Sequence, residues 1–550
     1  MNTKPNVNLL PDGSKIWSSS FDSFSAKVYV PFCEINQDII NYGFQAPYLL
    51  IFEEKPMSEE EAVQFAKSTG LANIAKEFAG HVTFIYPNSK SWSEVDSSLY
   101  ADIMAHSRIG QYHENGYTCL RDRFTGEWGA FRLRGGVHRT YLYGYGASAD
   151  YIANNLLKTV EGEGLYGKGD ITPVVCILSN LSSFPASTRA DIPVVSIGNS
   201  KEINDAILAS QVDGRIQDSA DYYKDFQEFI INYRRMVGNL EKEPVLKEMG
   251  MTREPDFHIV KTAKDNRGDD KDTTSHKVGY VAYYNNAIME EQKKVPLVMC
   301  FHGGGDCAMI IANLAGWYQV AAKYNFLLVC IENHLNSTAT EMMELIEHLK
   351  TKYPIDEGKI YSTGFSMGGC KSWDMFQEYP KVFAAVAPMD ATFDVGLNSY
   401  GQPVDNFNQD VLLPVFYVGG EITPLPELPF QELKCLNRMK YVLKINKADN
   451  PYEIEYDDRE NWSNKIWGMD GDHVIKLDNP ERENSTLTMN FYTSNNGEMC
   501  YCVFAGVSNQ GHEVRHHSCE NAWKFLNSFR RLSDGTIEGG STKDILDLYK

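Results

Sequence analysis

Ile355-Asp356-Glu357-Gly358-Lys359-Ile360-Tyr361-Ser362-Thr363-Gly364-Phe365-Ser366-Met367-Gly368-Gly369 is the stretch on which the reading of this chain turns. The β-rich residues 359–363 run into Gly364-Phe365-Ser366-Met367-Gly368, a G-x-S-x-G motif, and residues 369–379 read as a helix. Strand, sharp turn and helix are the setting in which a serine becomes a nucleophile. Glycines two residues either side of Ser366 let the strand and helix backbones approach, and the turn holds the hydroxyl above the sheet edge. The five-residue motif is weak alone, so its surroundings decide.

About sixty residues upstream, Val295-Pro296-Leu297-Val298-Met299-Cys300-Phe301 reads as a short buried strand. It leads directly into His302-Gly303-Gly304-Gly305. Backbone N–H groups that are to meet a substrate oxygen need a turn without side chains in the way, which glycine supplies. Two such turns, each at a strand end and in this order, resemble the two halves of the oxyanion hole of an α/β-hydrolase.

Composition sets the bounds. A chain of 550 residues with 43% apolar and 23% charged residues is soluble, globular and too long for one ordinary core. The formal net charge of −21 argues against a nucleic-acid or anionic-membrane partner. The basic pairs Arg234-Arg235 and Arg530-Arg531 are expected on amphipathic helices as solvated faces. Residues 1–20 show no apolar signal region, and no run is apolar enough to span a membrane. Eleven cysteines with no C-x-x-C spacing predict reduced, buried thiols and a cytoplasmic protein. No metal-ligand spacing occurs, so neither metal nor cofactor is expected. A homo-oligomer stays open.

The two halves of the chain read alike. Ala46-Pro47-Tyr48-Leu49-Leu50-Ile51-Phe52-Glu53 falls on the segment from Val295 to His302. Residues 70–78 and 82–86 fall on 316–324 and 326–331, and residues 192–198 fall on 413–419. Thr140-Tyr141-Leu142-Tyr143-Gly144-Tyr145-Gly146-Ala147-Ser148 falls on the motif itself, with Gly146 where Ser366 stands. Glu53-Glu54-Lys55-Pro56 replaces the glycine turn, and no histidine occurs between His138 and His258. The expected fold is therefore α/β: two tandem α/β-hydrolase-like doubly wound sheets, the N-terminal one catalytically degenerate. Residues 1–243 form the degenerate domain and 244–550 the catalytic one, with the linker in 241–255. The polar run 264–277 is expected as a turn between the first two strands of the second copy. An insertion at 447–484, carrying Trp462 and Trp467, is either a cap over the active site or a surface excursion.

From Val295 to Pro388 the chain resembles the polyhydroxybutyrate depolymerase and feruloyl esterase type of α/β-hydrolase. The likeness rests on the elbow quoted above, on Tyr379-Pro380-Lys381-Val382-Phe383-Ala384-Ala385-Val386-Ala387-Pro388, and on the turn from His302 with Gly316-Trp317 beyond it. It extends less strongly over 277–531. It implies a serine carboxylesterase working through an acyl-enzyme on a small, medium or oligomeric ester. Ser366 is the expected nucleophile, with oxyanion donors in the N–H groups of Met367 and of Gly304 or Gly305. The base must follow the last strand, near 498–505, and His512 does; His516 and His517 fall at the approach to the closing helix. His302 is expected to brace its loop. The acid belongs after the strand 414–418, where the family carries an aspartate and this chain reads Gly419-Gly420-Glu421-Ile422-Thr423-Pro424-Leu425-Pro426-Glu427. Glu421 comes first as the acid, then Glu427, then Asp390. The competing readings are a serine peptidase or acyltransferase on the same triad, and a non-catalytic scaffold.

Overall fold

Runs of consecutive apolar residues leave no face for water, so they end as strands covered on both sides. Tyr48–Phe52 and Leu327–Ile331 are buried at every position. The computed structural model describes residues 6–32, 47–78, 80–89, 91–112, 133, 139–157, 163–164, 167–168, 171–236, 239–242, 246–260, 276–304, 308–332, 334 and 337–550. The chain divides into two compact units, Met1–Val245 and Leu246–Lys550.

The first unit is built on nine strands: β1 (Asn8–Leu9), β2 (Lys15–Ser20), β3 (Phe24–Val30), β4 (Tyr48–Phe52), β5 (His81–Pro87), β6 (Thr140–Tyr145), β7 (Val175–Ser179), β8 (Val194–Ile197) and β9 (Gly214–Gln217). Their order across the sheet is β1-β2-β3-β5-β4-β6-β7-β8-β9. From β5 onward every pairing is parallel. Alternate residues of β4 enter different cores, Leu50 and Phe52 on one face and Leu49 and Ile51 on the other. That is a doubly wound sheet.

Among the described residues the main sheet of the second unit has ten: β10 (Met251–Val260), β11 (His276–Asn285), β12 (Val295–Phe301), β13 (Leu327–Ile331), β14 (Ile355–Phe365), β15 (Ala385–Met389), β16 (Val415–Gly420), β17 (His473–Asp478), β18 (Thr486–Ser494) and β19 (Met499–Val507). Their order is β10-β11-β13-β12-β14-β15-β16-β19-β18-β17. After β12 the chain steps outward to β13, then crosses back to place β14 on the other side of β12. The winding direction reverses there, and the crevice at the C-terminal ends of β12 and β14 is where such sheets place ligands. Both glycine-containing turns of the sequence open into it. The first unit repeats the reversal at β4 and β6.

Three local expectations change. Strand β10 starts at Met251, so the second part of 241–255 is sheet, not linker. The pairing of β10 with β11 brackets the polar run, most of which (264–275) lies outside the described residues. Neither basic pair is helical: Arg234-Arg235 lies in the strand Tyr233–Met236, and Arg530-Arg531 in the strand Phe529–Arg531. Arg531 is buried and donates to the carbonyls of Pro380, Phe383 and Leu412, which a solvated helix face would not do. The insertion 447–484 is not a loose excursion. Trp462 and Trp467 belong to the core, and β17 extends the sheet by pairing with β18. Glu481 and Arg482 at its end reach the loop and helix after β19, where Arg482 donates to Asn509 and pairs with Glu513 and Glu481 accepts His517 N–H.

Candidate active site

Ser366 stands between β14 and helix α1 (Met367–Glu378) with φ 55° and ψ −119°. A positive φ is uncommon for any residue with a side chain, and it costs on the order of 1–3 kcal/mol where it is held. Neighbouring backbone holds it. Ser366 N–H donates to Met389 O at 3.0 Å, and Cys370 N–H donates to Ser366 O at 2.9 Å. The glycines are obligatory by contact. A Cβ on Gly364 would lie 2.3 Å from Gly368 O, and one on Gly368 would lie 2.0 Å from Phe301 O. The start of α1 is thereby pressed against the end of β12.

Met367 is the first residue of α1, so its N–H has no carbonyl one turn earlier. Gly304 is beside it: a Cβ on Gly304 would meet Met367 Sδ at 2.7 Å. The structure thus brings the elbow and the glycine turn together, and Gly305 lies outside the described residues. His302 is fully buried, with Nδ1 2.7 Å from Gly303 O and Nε2 2.6 Å from Glu332 O. His334 Nε2 is 2.9 Å from His302 O, and Glu332 Oε2 accepts from Ala308 N at 2.7 Å. Both ring nitrogens of His302 face backbone carbonyls, the arrangement of a brace.

His512 lies in the loop between β19 and helix α2 (His516–Leu526), beside the end of β16. Gly420 has no side chain because Gly511 O would lie 2.0 Å from its Cβ. The His512 ring packs on Phe365, the residue before Ser366, with centroids 4.7 Å apart. Its Nδ1 is 2.9 Å from Oε1 of Glu427. With Nδ1 on a carboxylate, Nε2 is the nitrogen left for the opposite side of the ring. His516 and His517 occupy the first turn of α2, where His516 packs on Gly316 and His517 N–H donates to Glu481.

The acid is where the structure departs from the sequence order of preference. Glu421, the first choice, is not brought to His512. Its N–H continues the sheet by donating to Val507 O, and its carboxylate lies over Gly506, with Oε1 2.6 Å from where a Cβ there would be. Burial raises its pKa, and Lys476 opposes the rise. The chain then folds back. Thr423 N–H donates to Gly420 O, Thr423 Oγ1 donates to Glu427 Oε2 at 3.1 Å, and Gln431 Oε1 accepts the N–H groups of Glu427 and Leu428. That return delivers Glu427, the second choice, to the histidine. Spacing along the strand could not show it, because the return depends on the loop's own hydrogen bonds.

Asp390, the third choice, arrives as well. It follows β15, is buried, and has φ 43°. Its Oδ1 accepts Gly420 N–H at 2.7 Å. Ligand-type atoms of Asp390, Glu427 and His512 all lie within 4.8 Å of one another. That spacing would admit a cation. Three of the four carboxyl oxygens are already engaged, however, with Gly420, Thr423 and His512 as partners, and the cluster fits a proton network better than a coordination shell. Burial, more than any neighbour, pushes both carboxyl groups upward from the usual carboxylate range.

Two further residues carry the site without any motif. Arg438, on helix α3 (Leu433–Ile445), is fully buried and lies over the Tyr417 ring at 4.2 Å. It donates to Ala391 O at 2.7 Å and to Glu427 O at 3.0 Å, so it clamps the two acid-bearing loops to each other. One signal was available: Arg438 sits on the apolar stripe of Cys435, Leu436, Met439 and Val442, where a cation needs a reason. Tyr417 Oη also donates to Glu427 O.

Neither a protein-family model nor a curated protein matches the chain. Among solved structures it is similar to an acetyl xylan esterase from Aspergillus awamori, at 13% identity and TM-score 0.31, over 47% of this chain and 94% of that one. It is similar to the feruloyl esterase module from Clostridium thermocellum at 12% identity and TM-score 0.28, over 48% of this chain and 83% of that one. A third is an S-formylglutathione hydrolase from Staphylococcus aureus, at 13% identity and TM-score 0.24, over 35% of this chain and 85% of that one.

Proposed function

We propose that the second unit is a serine carboxylic-ester hydrolase that acts through an acyl-enzyme on a small or medium ester, of the polyhydroxybutyrate depolymerase or feruloyl esterase kind. The observation that carries this reading is the positive-φ Ser366 over a sheet end, with His512 packed on Phe365 and Glu427 on the far nitrogen of that histidine. Ser366 Oγ attacks the ester carbon while His512 Nε2 takes its proton. Glu427 holds the ring and offsets the charge the ring gains. The carbonyl oxygen becomes an oxyanion, received by the N–H groups of Met367 and Gly304, each worth roughly 3–4 kcal/mol on the usual scale. The alcohol leaves with the proton from His512. Water then repeats the sequence on the acyl-enzyme and frees the acid.

The first unit supplies no bond-breaking group in this reading. Gly146 stands at its elbow, and Glu53 follows its first parallel strand where a glycine turn would be needed. The described cysteines are free thiols, which suits a cytoplasmic protein. A fluorophosphonate probe tests the reading on the full chain. Labelling that maps to Ser366, with turnover of nitrophenyl acetate well above that of a peptide amide, is the expected result. A chain that neither labels nor turns over either substrate belongs to the scaffold reading.

A further inference from the structure

The described site holds one carboxyl group more than a Ser–His–acid triad uses. Asp390 is buried beside Glu427, its backbone is held at a positive φ, and Arg438 ties its loop to the acid's own carbonyl. Nothing in the hydrolytic cycle above requires it. Its placement nevertheless couples it to the acid: Oδ1 is committed to Gly420 N–H, a side-chain hydrogen bond joins Asp390 to Glu427, and the cluster with His512 lies within 4.8 Å. Two carboxyl groups so placed and so little solvated cannot both be ionised.

We propose that Asp390 and Glu427 act as one carboxyl pair that holds a single proton on Asp390, whose O–H donates to Glu427 and keeps the pair's one negative charge facing His512 Nδ1. The proposal rests on the esterase reading for its kinetic consequences and deepens it. The division of labour follows from the neighbours. Glu427 has His512 and the Thr423 hydroxyl as donors to its carboxylate. Asp390 is the more deeply enclosed and has one backbone donor. Burial raises both groups, the hydrogen bond between them raises Asp390 and lowers Glu427, and His512 pulls Asp390 down. The other charged or titratable groups facing the pair are Arg438 and Cys435 from α3, Tyr417 from β16 and Cys370 from α1. Tyr417 and both thiols are held neutral by burial, so Arg438 is the cation that balances the pair. Asp390 is therefore a positioning residue: it acts through Glu427 and touches no substrate.

The first unit supplies a control for the backbone. The residue after its strand β7 is Asn180, and it holds φ 52° where Asp390 holds 43°. An asparagine fits this turn, so Asp390→Asn removes the proton equilibrium while keeping the backbone and a donor. Infrared spectra of the intact chain should show a protonated buried carboxyl at neutral pH that is missing from D390N. In nitrophenyl acetate assays, D390N should lose roughly 2- to 5-fold in kcat at neutral pH, with KM within about 2-fold, because an amide is the weaker donor. The wild type should fall off at alkaline pH as Asp390 gives up its proton, and D390N should hold its plateau further. Asp390→Ala, which leaves Glu427 without that donor, should lose about 10- to 100-fold in kcat. Equal losses in both variants with the wild-type pH profile, or an infrared difference without a carboxyl band, would overturn the pair. A wild type without ester turnover overturns the esterase reading instead, and the infrared comparison alone then upholds or overturns the pair.

Discussion

Gly146 holds φ 58° and ψ −123°, and Ser366 holds φ 55° and ψ −119°. The two elbows share their hydrogen bonds as well: Gly146 N–H donates to Ser179 O and Asp150 N–H to Gly146 O, as Ser366 and Cys370 do in the second unit. A conformation that strains serine is free for glycine. The first unit therefore keeps the turn without the strain and without the hydroxyl. The turn belongs to the packing of strand on helix, and the chemistry belongs to the residues placed on it.

The elbows differ two residues further on. Ser148 of the first unit donates its hydroxyl to Phe52 O at 2.8 Å and accepts Tyr145 N–H at 2.8 Å. At the matching Gly368, a Cβ alone would lie 2.0 Å from Phe301 O. Helix and strand thus approach more closely in the second unit, and the approach puts Met367 beside Gly304. In the first unit a side chain fills that gap.

The largest break in the comparison comes from exchanging the elbow residues. Ser366→Ala should lower ester turnover by about a million-fold and abolish fluorophosphonate labelling, since triad members act as a unit. Gly146→Ser should gain no labelling, because no base is supplied. Labelling at position 146 would show that the first unit is silent only for want of a serine.

Next in size is the acid. Glu427→Gln should lower kcat by about four orders of magnitude by removing the charge that supports the imidazolium, with Glu421→Gln within about 2-fold of wild type. The reverse order of losses would return the acid to Glu421.

A stability comparison sharpens the helix–strand contact. Gly368→Ala presses a methyl group into a backbone carbonyl and should destabilise the second unit by roughly 3 kcal/mol or more. Ser148→Ala keeps a Cβ already accommodated and should cost about 1–2 kcal/mol through its lost hydrogen bonds. Chemical denaturation of both variants checks the ranking, and equal costs would remove the difference in approach.

The smallest effect concerns Glu53, at the end of β4. Burial pushes its carboxyl from 4.5 up to about 7, with Lys27 and the Met57 N–H opposing the rise. The folded state binds this proton more tightly than the unfolded state. Its contribution is therefore complete below about 4.5 and is lost as the pH rises through about 7. Glu53→Gln should match the wild type in Tm near pH 5 and exceed it by about 2–4 °C near pH 8. Identical curves at both would show that Glu53 is solvated.

Much of the framework was legible in the chain. Val295–Phe301 is strand from end to end, as its apolar run predicts, and the four matched segments of the two halves became corresponding parts of two sheets. Turn chemistry and strand order, which are local, singled out Ser366, Met367, Gly304 and His512, and the fold brings Gly304 beside Met367 and His512 onto Phe365. Arg531 was misread because a basic pair near a helix end carries no mark of burial. Trp462 and Trp467 were misread because an insertion rich in polar residues conceals two core anchors.

The sequence by itself determined the doubly wound pattern, the elbow and the glycine that stands at position 146 where the second half has Ser366. Each follows from periodicity or from what glycine and serine permit at one turn. Only the tertiary structure decided that Glu427 and not Glu421 meets His512, that Asp390 joins them, and that Arg438 clamps both loops. Those contacts join residues from β15, the loop after β16, α3 and the loop after β19. Their distances depend on how hydrogen bonds fold each loop back and on how tightly the strands pack, and no spacing along the chain carries that information.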